Sequence, residues 1–213
     1  MPRLLDLFCG AGGSAVGYSR AGFDDIVGVD NRPMPRYPFS FVLGDALEYV
    51  AAHGRELDAI HASPPCQQYT PLRAVHGREY PDMVAAVRAG LLESWRPWII
   101  ENVPGAPLRY GVQLCGAMFA LRVYRHRRFE TSWLVMQPEH PRHLVRAGGH
   151  KAQRQRKTHY EAGGFVTITG NVGSYCGPAM GIDWMDGETL SQAIPPAYTE
   201  FIGRQLLQAL ATP

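Results

Sequence analysis

Three short segments of the chain hold side chains able to do covalent or acid–base chemistry. In Ser63-Pro64-Pro65-Cys66-Gln67, two prolines stiffen the backbone just before a cysteine at the exit of an apolar run, so the thiol is expected at a strand edge rather than in a core. The polar stretch that follows, from Gln67 to Pro81, contains Arg73, His76, Gly77 and Arg78 and reads as a loop, which makes Cys66 a candidate nucleophile at its hinge. Glu101-Asn102-Val103 comes after Trp98-Ile99-Ile100, placing a carboxyl at the end of a buried strand, where desolvation raises its pKa and lets it hold or share a proton. Arg125-His126-Arg127 lies on a strand-like run through Phe129, where alternation puts both guanidinium groups on one face. Each has a plainer structural reading: a buried cysteine, a carboxylate capping a helix or paired with an arginine such as Arg96, and solvated surface arginines.

A fourth segment binds rather than reacts. Asp6-Leu7-Phe8-Cys9-Gly10-Ala11-Gly12-Gly13 follows the first strand and opens the first helix, and its glycines permit positive φ and close backbone approach to a ligand. An acid at the end of the second strand, Asp30, can accept hydrogen bonds from both hydroxyls of a ribose, and Asp45 after the third offers an acceptor for an adenine amino group. NAD and S-adenosylmethionine both satisfy this pattern, although the FxGxG form tilts away from a pyrophosphate cradle.

Positioning these groups takes alternating strands and helices. Strands are expected at Arg3 to Phe8, Asp25 to Val29, Phe39 to Leu43, Leu57 to Ala62 and Pro97 to Ile100. Helices are expected at Ser14 to Ala21, with Ser14 as candidate N-cap and Gly22 as its stop, and at Ala46 to His53 and Asp82 to Trp95. Such a series builds an α/β, doubly wound, mostly parallel sheet, whose ligands gather beyond the carboxyl ends of the strands. The glycine cluster, Asp30, Asp45, Cys66 and Glu101 all belong to that edge. From about Glu130 to Phe165 the periodicity fades into an insertion, followed by a strand at Phe165 to Thr169 and a closing helix at Glu200 to Leu210. The expected division is a core over 1–130, an insertion over 131–165 and a return to the core over 166–213.

Composition fits this plan. The 213 residues are 46% hydrophobic and 19% charged, enough for one sizeable core and inconsistent with a disordered or fibrous chain. No apolar run approaches the roughly 20 residues of a membrane span, and the expected setting is the cytosol without a membrane partner. The four cysteines, Cys9, Cys66, Cys115 and Cys176, form no CxxC pair and no zinc-type spacing with histidine, so reduced thiols and no metal are expected. Net charge is only +2, yet Arg122 to Lys157 holds ten Lys/Arg against two acids, leaving a net −6 elsewhere. A basic stretch on an acidic body suits a polyanion, or else is a solvated loop.

Taken together, these residues resemble the DNA cytosine-5 methyltransferase family, in the family's order and through most of the chain. Asp6 to Gly13 looks like its first cofactor motif, Asp30 and Asp45 its ribose and adenine contacts, Pro65-Cys66-Gln67 its nucleophile, Glu101-Asn102-Val103 its substrate acid and Arg125-His126-Arg127 its arginine pair. Ala193-Ile194-Pro195-Pro196, with Glu200 and Ile202-Gly203, resembles its last motif. The resemblance implies a class I S-adenosylmethionine-dependent fold, with the cofactor held by Phe8, Gly10, Ala11, Gly12, Gly13, Asp30, Asn31, Asp45, Ala46 and Pro65 and left as S-adenosylhomocysteine. It implies Cys66 attacking C6 of a flipped cytosine, Glu101 at N3 and the exocyclic amine, Arg127 at O2 with Arg125 in support, and DNA contacts from Gln67, Arg73, Arg78, Arg142, Arg154 and Arg156. The chain is read as a monomer, with a protein partner left open. It departs from the family in having Ser191-Gln192 where Gly-Asn is usual, Val123 where Gln is usual, and a target-recognition region of only about Thr131 to Phe165. Methylation of tRNA, a non-catalytic nucleic-acid-binding module and an NAD-dependent oxidoreductase are the competing readings.

Overall fold

The computed structural model describes residues 2–70, 81–145, 147, 152–168, 170 and 172–211. Its centre is a seven-stranded sheet built from β1 (Arg3–Leu7), β2 (Asp25–Asp30), β3 (Ser40–Leu43), β4 (Ala59–Ala62), β5 (Trp98–Asn102), β6 (Gly111–Leu114) and β7 (Arg127–Thr131). The order is β3-β2-β1-β4-β5-β7-β6; the first five strands run parallel, while β7 is antiparallel to both β5 and β6. This is the class I S-adenosylmethionine-dependent methyltransferase fold, as expected from the alternating pattern. The reversal between β1 and β4 is the switch point, and the strand ends that meet there carry the glycine loop and Pro-Pro-Cys.

Strands buried on both faces explain the apolar runs. Leu4, Leu5 and Leu7 of β1 and Ile60 of β4 are fully buried, with helices α1 (Gly13–Ala21), α2 (Ala46–His53), α3 (Val84–Glu93) and α7 (Pro196–Ala211) around the sheet. The tightest packing is between α1 and α7, where small residues let backbones touch: a Cβ on Gly17 would lie 2.0 Å from Thr199 Oγ1, and one on Gly203 2.8 Å from Ala21 Cβ. Thr199 Oγ1 also donates to the Ser14 carbonyl (2.8 Å), which fixes the returning helix on the helix that starts at the glycine loop.

Several expectations are corrected. Ser14 is not the N-cap of α1; that position is Gly12, in the left-handed region, and the Ser14 hydroxyl turns inward to Asp6. Glu101 and Asn102 do not follow β5 but belong to it, because Glu101 pairs with Phe129 and Asn102 with Arg128 across the antiparallel ladder. β7 begins at Arg127, so Arg125 and Arg127 are not two alternating positions of one strand. The expected strand at Phe165 to Thr169 reduces to one bridge between Val123 and Val166, with Thr169 outside the described residues. The insertion contains a helix, α4 (Gln153–Glu161), whose sequence QRQRKTHYE buries no residue and so shows no apolar period. Two short helices, α5 (Cys176–Met180) and α6 (Gly187–Gln192), lead into α7. No helix among the described residues is long and apolar enough to cross a membrane.

The basic stretch is also less free than its charge suggests. The Arg122 guanidinium lies 4.1 Å above the Tyr160 ring and donates to the Tyr160 carbonyl, Arg125 is buried, and Arg128 donates to the carbonyls of Leu108 and Arg109. Lys157 pairs with Glu161 on α4. On β7, Glu130 is held by a buried two-pronged pair with Arg88 of α3, both contacts at 2.7 Å.

Candidate active site

The switch point is lined with chemistry. A cleft of about 330 Å³ is bordered by the glycine loop, by Asp30, Asn31 and Asp45, by Pro65, Cys66 and Gln67, by Glu101 and Arg127, and by Glu188, Thr189, Gln192, Ala193 and Ile194 on the C-terminal side. Thus Phe8, Gly10, Ala11, Gly13 and Ala46 all reach it, while Gly12 shapes the loop without lining it.

The loop owes its form to three left-handed residues, Phe8 (φ 57), Gly10 (φ 49) and Gly12 (φ 84). Phe8 alone of these has a side chain to strain there, and it sits at the exit of β1, where the chain must turn out of the sheet. A Cβ on Gly13 would come within 2.6 Å of the Ile194 carbonyl, so the C-terminal segment closes on bare backbone. Asp30 Oδ2 accepts from the Gly10 N–H and Oδ1 from the Arg32 N–H, both at 3.0 Å. The acid expected to read a ribose therefore also fastens the glycine loop. Asp45 caps α2, its Oδ1 accepting from the N–H groups of Leu47 and Glu48. From the far end of the chain, Trp184 Nε1 donates to the Ala11 carbonyl (2.9 Å), and Arg36 pairs with Asp186 across the rim.

Cys66 is half-buried at the cleft wall. Desolvation pushes its thiol above the ordinary value, the Glu101 carboxylate adds to this, and the guanidinium groups of Arg127 and Arg125 oppose it. The turn before it is pinned by Asn102 Nδ2, which donates to the Pro64 carbonyl at 2.9 Å. Glu101 is fully buried, and desolvation raises its pKa against the opposing pull of Arg127 and Arg125. Arg127 Nε approaches Glu101 Oε1 to 3.0 Å, but out of line, so that oxygen has no hydrogen bond. Arg125 does not line the cleft: Nη1 donates to the Ile168 carbonyl (3.0 Å), Nη2 to the Ser191 carbonyl (2.7 Å), and its own carbonyl accepts from the Tyr198 hydroxyl (2.6 Å). It ties the returning chain to the arginine strand. Gln67 lines the cleft with a buried, unpartnered Oε1. Arg142 and Arg154 are exposed and Arg156 is half-buried beside Tyr175; none borders the cleft, and Arg73 and Arg78 lie outside the described residues.

No protein-family model matches the chain. Among curated proteins, it is 31% identical over 121 residues to the type II methyltransferase M.XorII of Xanthomonas oryzae pv. oryzae, an alignment covering 49% of this chain and 28% of that protein. It is 27% identical over 121 residues to the type II methyltransferase M.AgeI of Thalassovita gelatinovora, covering 48% and 28%. The chain thus spans under a third of the length of the curated relatives it matches. The structure of the S. pombe Dnmt2 methyltransferase aligns over 99% of both chains with a TM-score of 0.66 and 12% identity. The Entamoeba histolytica methyltransferase EhMeth aligns over 99% of both with a TM-score of 0.57 and 10% identity. The chain is thus similar to two type II methyltransferases over about half its length and shares its fold with further methyltransferases. The residues present fit the S-adenosylmethionine expected from the sequence: an open backbone cradle at Gly10, where a Cβ would meet nothing within 4 Å, and a buried carboxylate at Asp30 beside it.

Beneath the cradle lies a buried network whose contacts sequence reasoning did not reach. Asp6, fully buried, takes the Ser14 hydroxyl at 3.0 and 3.1 Å on its two oxygens and the Tyr37 hydroxyl at 3.3 Å. Burial raises its carboxyl to about 8, the two hydroxyls opposing and the Asp30 carboxylate assisting. The fold therefore keeps a proton that the unfolded chain releases near pH 4, and stability declines as pH rises from there to about 8. Fully buried His61, between the Tyr18 hydroxyl and the Ser63 hydroxyl, acts in the opposite sense: burial lowers it to about 3, so stability grows as pH rises from 3 to about 6.5. Between about 6.5 and 8 the His61 effect is over and the Asp6 decline continues. Asp6→Asn is expected to remove a slope of up to roughly 1.4 kcal/mol per pH unit in that window, read as the difference between variant and parent unfolding curves. Parallel curves would show that Asp6 is ionised in the fold.

Proposed function

We propose that this protein transfers a methyl group from S-adenosylmethionine to C5 of a cytosine in DNA, by way of a covalent bond between Cys66 and C6 of a base flipped out of the duplex. The observation that supports this most is the meeting, in one cleft, of a half-buried thiol and a buried carboxyl ion-paired with a guanidinium, next to the glycine loop and Asp30.

Cytosine C5 is a poor nucleophile, and a group that adds to C6 makes it a better one. The Cys66 thiolate adds to C6, and the displaced electron pair develops at C5 and over the ring toward N3 and O2. Glu101 stabilises that charge at N3 and the exocyclic amine, and Arg127 does so at O2. S-adenosylmethionine, when bound, supplies an electrophilic methyl group on a sulfonium and leaves as S-adenosylhomocysteine. Once C5 carries the methyl group, a base removes its proton and the returning electron pair expels Cys66. The proline pair, with Asn102 on the Pro64 carbonyl, keeps the sulfur from retreating.

Extruding the nucleotide costs a few kcal/mol, which contacts between basic side chains and phosphates offset. Arg142 and Arg154 are exposed for that task. The decisive test is transfer of labelled methyl onto duplex DNA, tRNA and free cytidine nucleotides in parallel. Label in 5-methylcytosine of duplex DNA is expected; label in tRNA alone would replace the substrate, and label on an exocyclic nitrogen would refute the C6 adduct.

A further inference from the structure

Away from the cleft, four side chains from separate places in the sequence point their ligand atoms at one spot. Cys115 follows β6, His126 precedes β7, and His140 and His143 belong to the segment between Ser132 and Val145, which has no helix or strand. All four ligand atoms lie within 4.8 Å of one another. Cys115 Sγ is 3.4 Å from His143 Nε2, and His126 Nε2 is 3.2 Å from His140 Nε2. A zinc ion with Zn–N of about 2.0–2.1 Å and Zn–S of about 2.3 Å in a tetrahedron separates its ligands by about 3.3 to 3.6 Å, close to both measured edges.

The surroundings favour ligands over a hydrogen-bonded cluster. The Cys115 side chain is fully buried, with the backbone N–H groups of Ala117, Arg125 and Gly116 turned toward its sulfur. Tyr124 stacks on the His143 ring with centroids 3.7 Å apart and planes at 11°, and on Phe165 at 4.6 Å, which fixes the direction of the imidazole nitrogen. The His126 and His140 rings stack at 5.3 Å and 19° with their Nε2 atoms facing. Two imidazole nitrogens facing at this distance must share one proton or one metal, and a thiol and a third imidazole converge on the same point. The donor set has one soft sulfur, three nitrogens and no carboxylate, which suits zinc and not magnesium or calcium.

We propose that Cys115, His126, His140 and His143 bind a structural zinc ion. Four protein ligands close the coordination sphere, so the ion holds chains together rather than activating water. It joins the segment carrying His140 and His143 to the ends of β6 and β7. His126 stands between Arg125 and Arg127, and the ion thereby also fixes the backbone from which Arg127 enters the cleft. The sequence-based expectation of no metal rested on spacing, and these four residues are spaced Cys-x10-His and His-x2-His, with the fold supplying the convergence.

The test uses tag-free, full-length protein expressed with zinc supplied. Mass spectrometric metal analysis is expected to find about one zinc per chain, and replacement by Co(II) to give the visible absorption of a tetrahedral site together with a thiolate-to-cobalt charge-transfer band. His143 is exposed, so His143→Ala should fold; it is expected to lose zinc to a chelator at least about tenfold more readily, while Cys115→Ser should lose the charge-transfer band. Metal-free parent protein that takes up neither ion, or a His143→Ala variant with unchanged zinc retention and cobalt spectrum, would overturn the assignment. These readouts do not involve methyl transfer, so they stand or fall separately from the proposed reaction.

Discussion

Cys66→Ser is expected to lower methyl transfer by roughly 10⁴-fold or more while leaving S-adenosylmethionine binding and thermal stability close to the parent values. The sulfur lines the cleft without filling a core position, so trading it for oxygen removes little packing. It does remove the nucleophile, because a serine hydroxyl ionises far above any working pH. DNA carrying 5-fluorocytosine gives the direct readout: fluorine blocks loss of the C5 proton, and the parent protein is trapped as an adduct that survives denaturation. No such band is expected for the variant. The pH dependence has a definite sign. Burial and the Glu101 carboxylate raise the thiol pKa, so the thiolate fraction, and with it the rate of adduct formation, should climb with pH through neutrality and beyond. An adduct persisting in Cys66→Ser would move the nucleophile elsewhere and dismantle the reaction scheme.

The sequence disclosed the groups that line the cleft better than the scaffold that aims them. Cys66, Glu101, Asp30 and the glycine loop are legible because each is a polar or backbone-permissive break toward the end of an apolar strand, and Arg127 because it stands in a charged run that leads into one; all of them reach the cleft. What stayed hidden depends on contacts between distant segments. Asp6 reads as the first residue of the glycine-loop motif, and its buried network appears only when Ser14 and Tyr37 are seen to share its carboxyl. Arg125 reads as the twin of Arg127, yet the carbonyls of Ile168 and Ser191 turn it into a brace. α4 lacks an apolar stripe because it buries nothing, and β6 has only four residues in which to show alternation. Ser191-Gln192 departs from the family pattern, but the Ser191 carbonyl, which any residue supplies, makes the contact to Arg125, and Gln192 lines the cleft.

Glu101→Gln tests the other half of the reaction. Gln keeps the size of the buried carboxyl and can still hydrogen-bond, but cannot take up or release a proton, so the expected loss is in turnover, by roughly 10² to 10⁴-fold, and not in affinity for S-adenosylmethionine. Burial already favours the neutral carboxyl, which is why the neutral replacement should cost the fold little, even though Arg127 loses its counter-charge. If protonated Glu101 is the form that supports addition at C6, activity in the parent should fall as pH rises through its raised pKa, giving a descending limb opposite in sign to the rise from Cys66. Glu101→Gln is expected to keep the rising limb and lose the falling one. A variant that loses cofactor binding and folding stability in step with activity would reduce Glu101 to a structural partner of Arg127. Unchanged turnover would mean that charge on the cytosine ring is met by some other group.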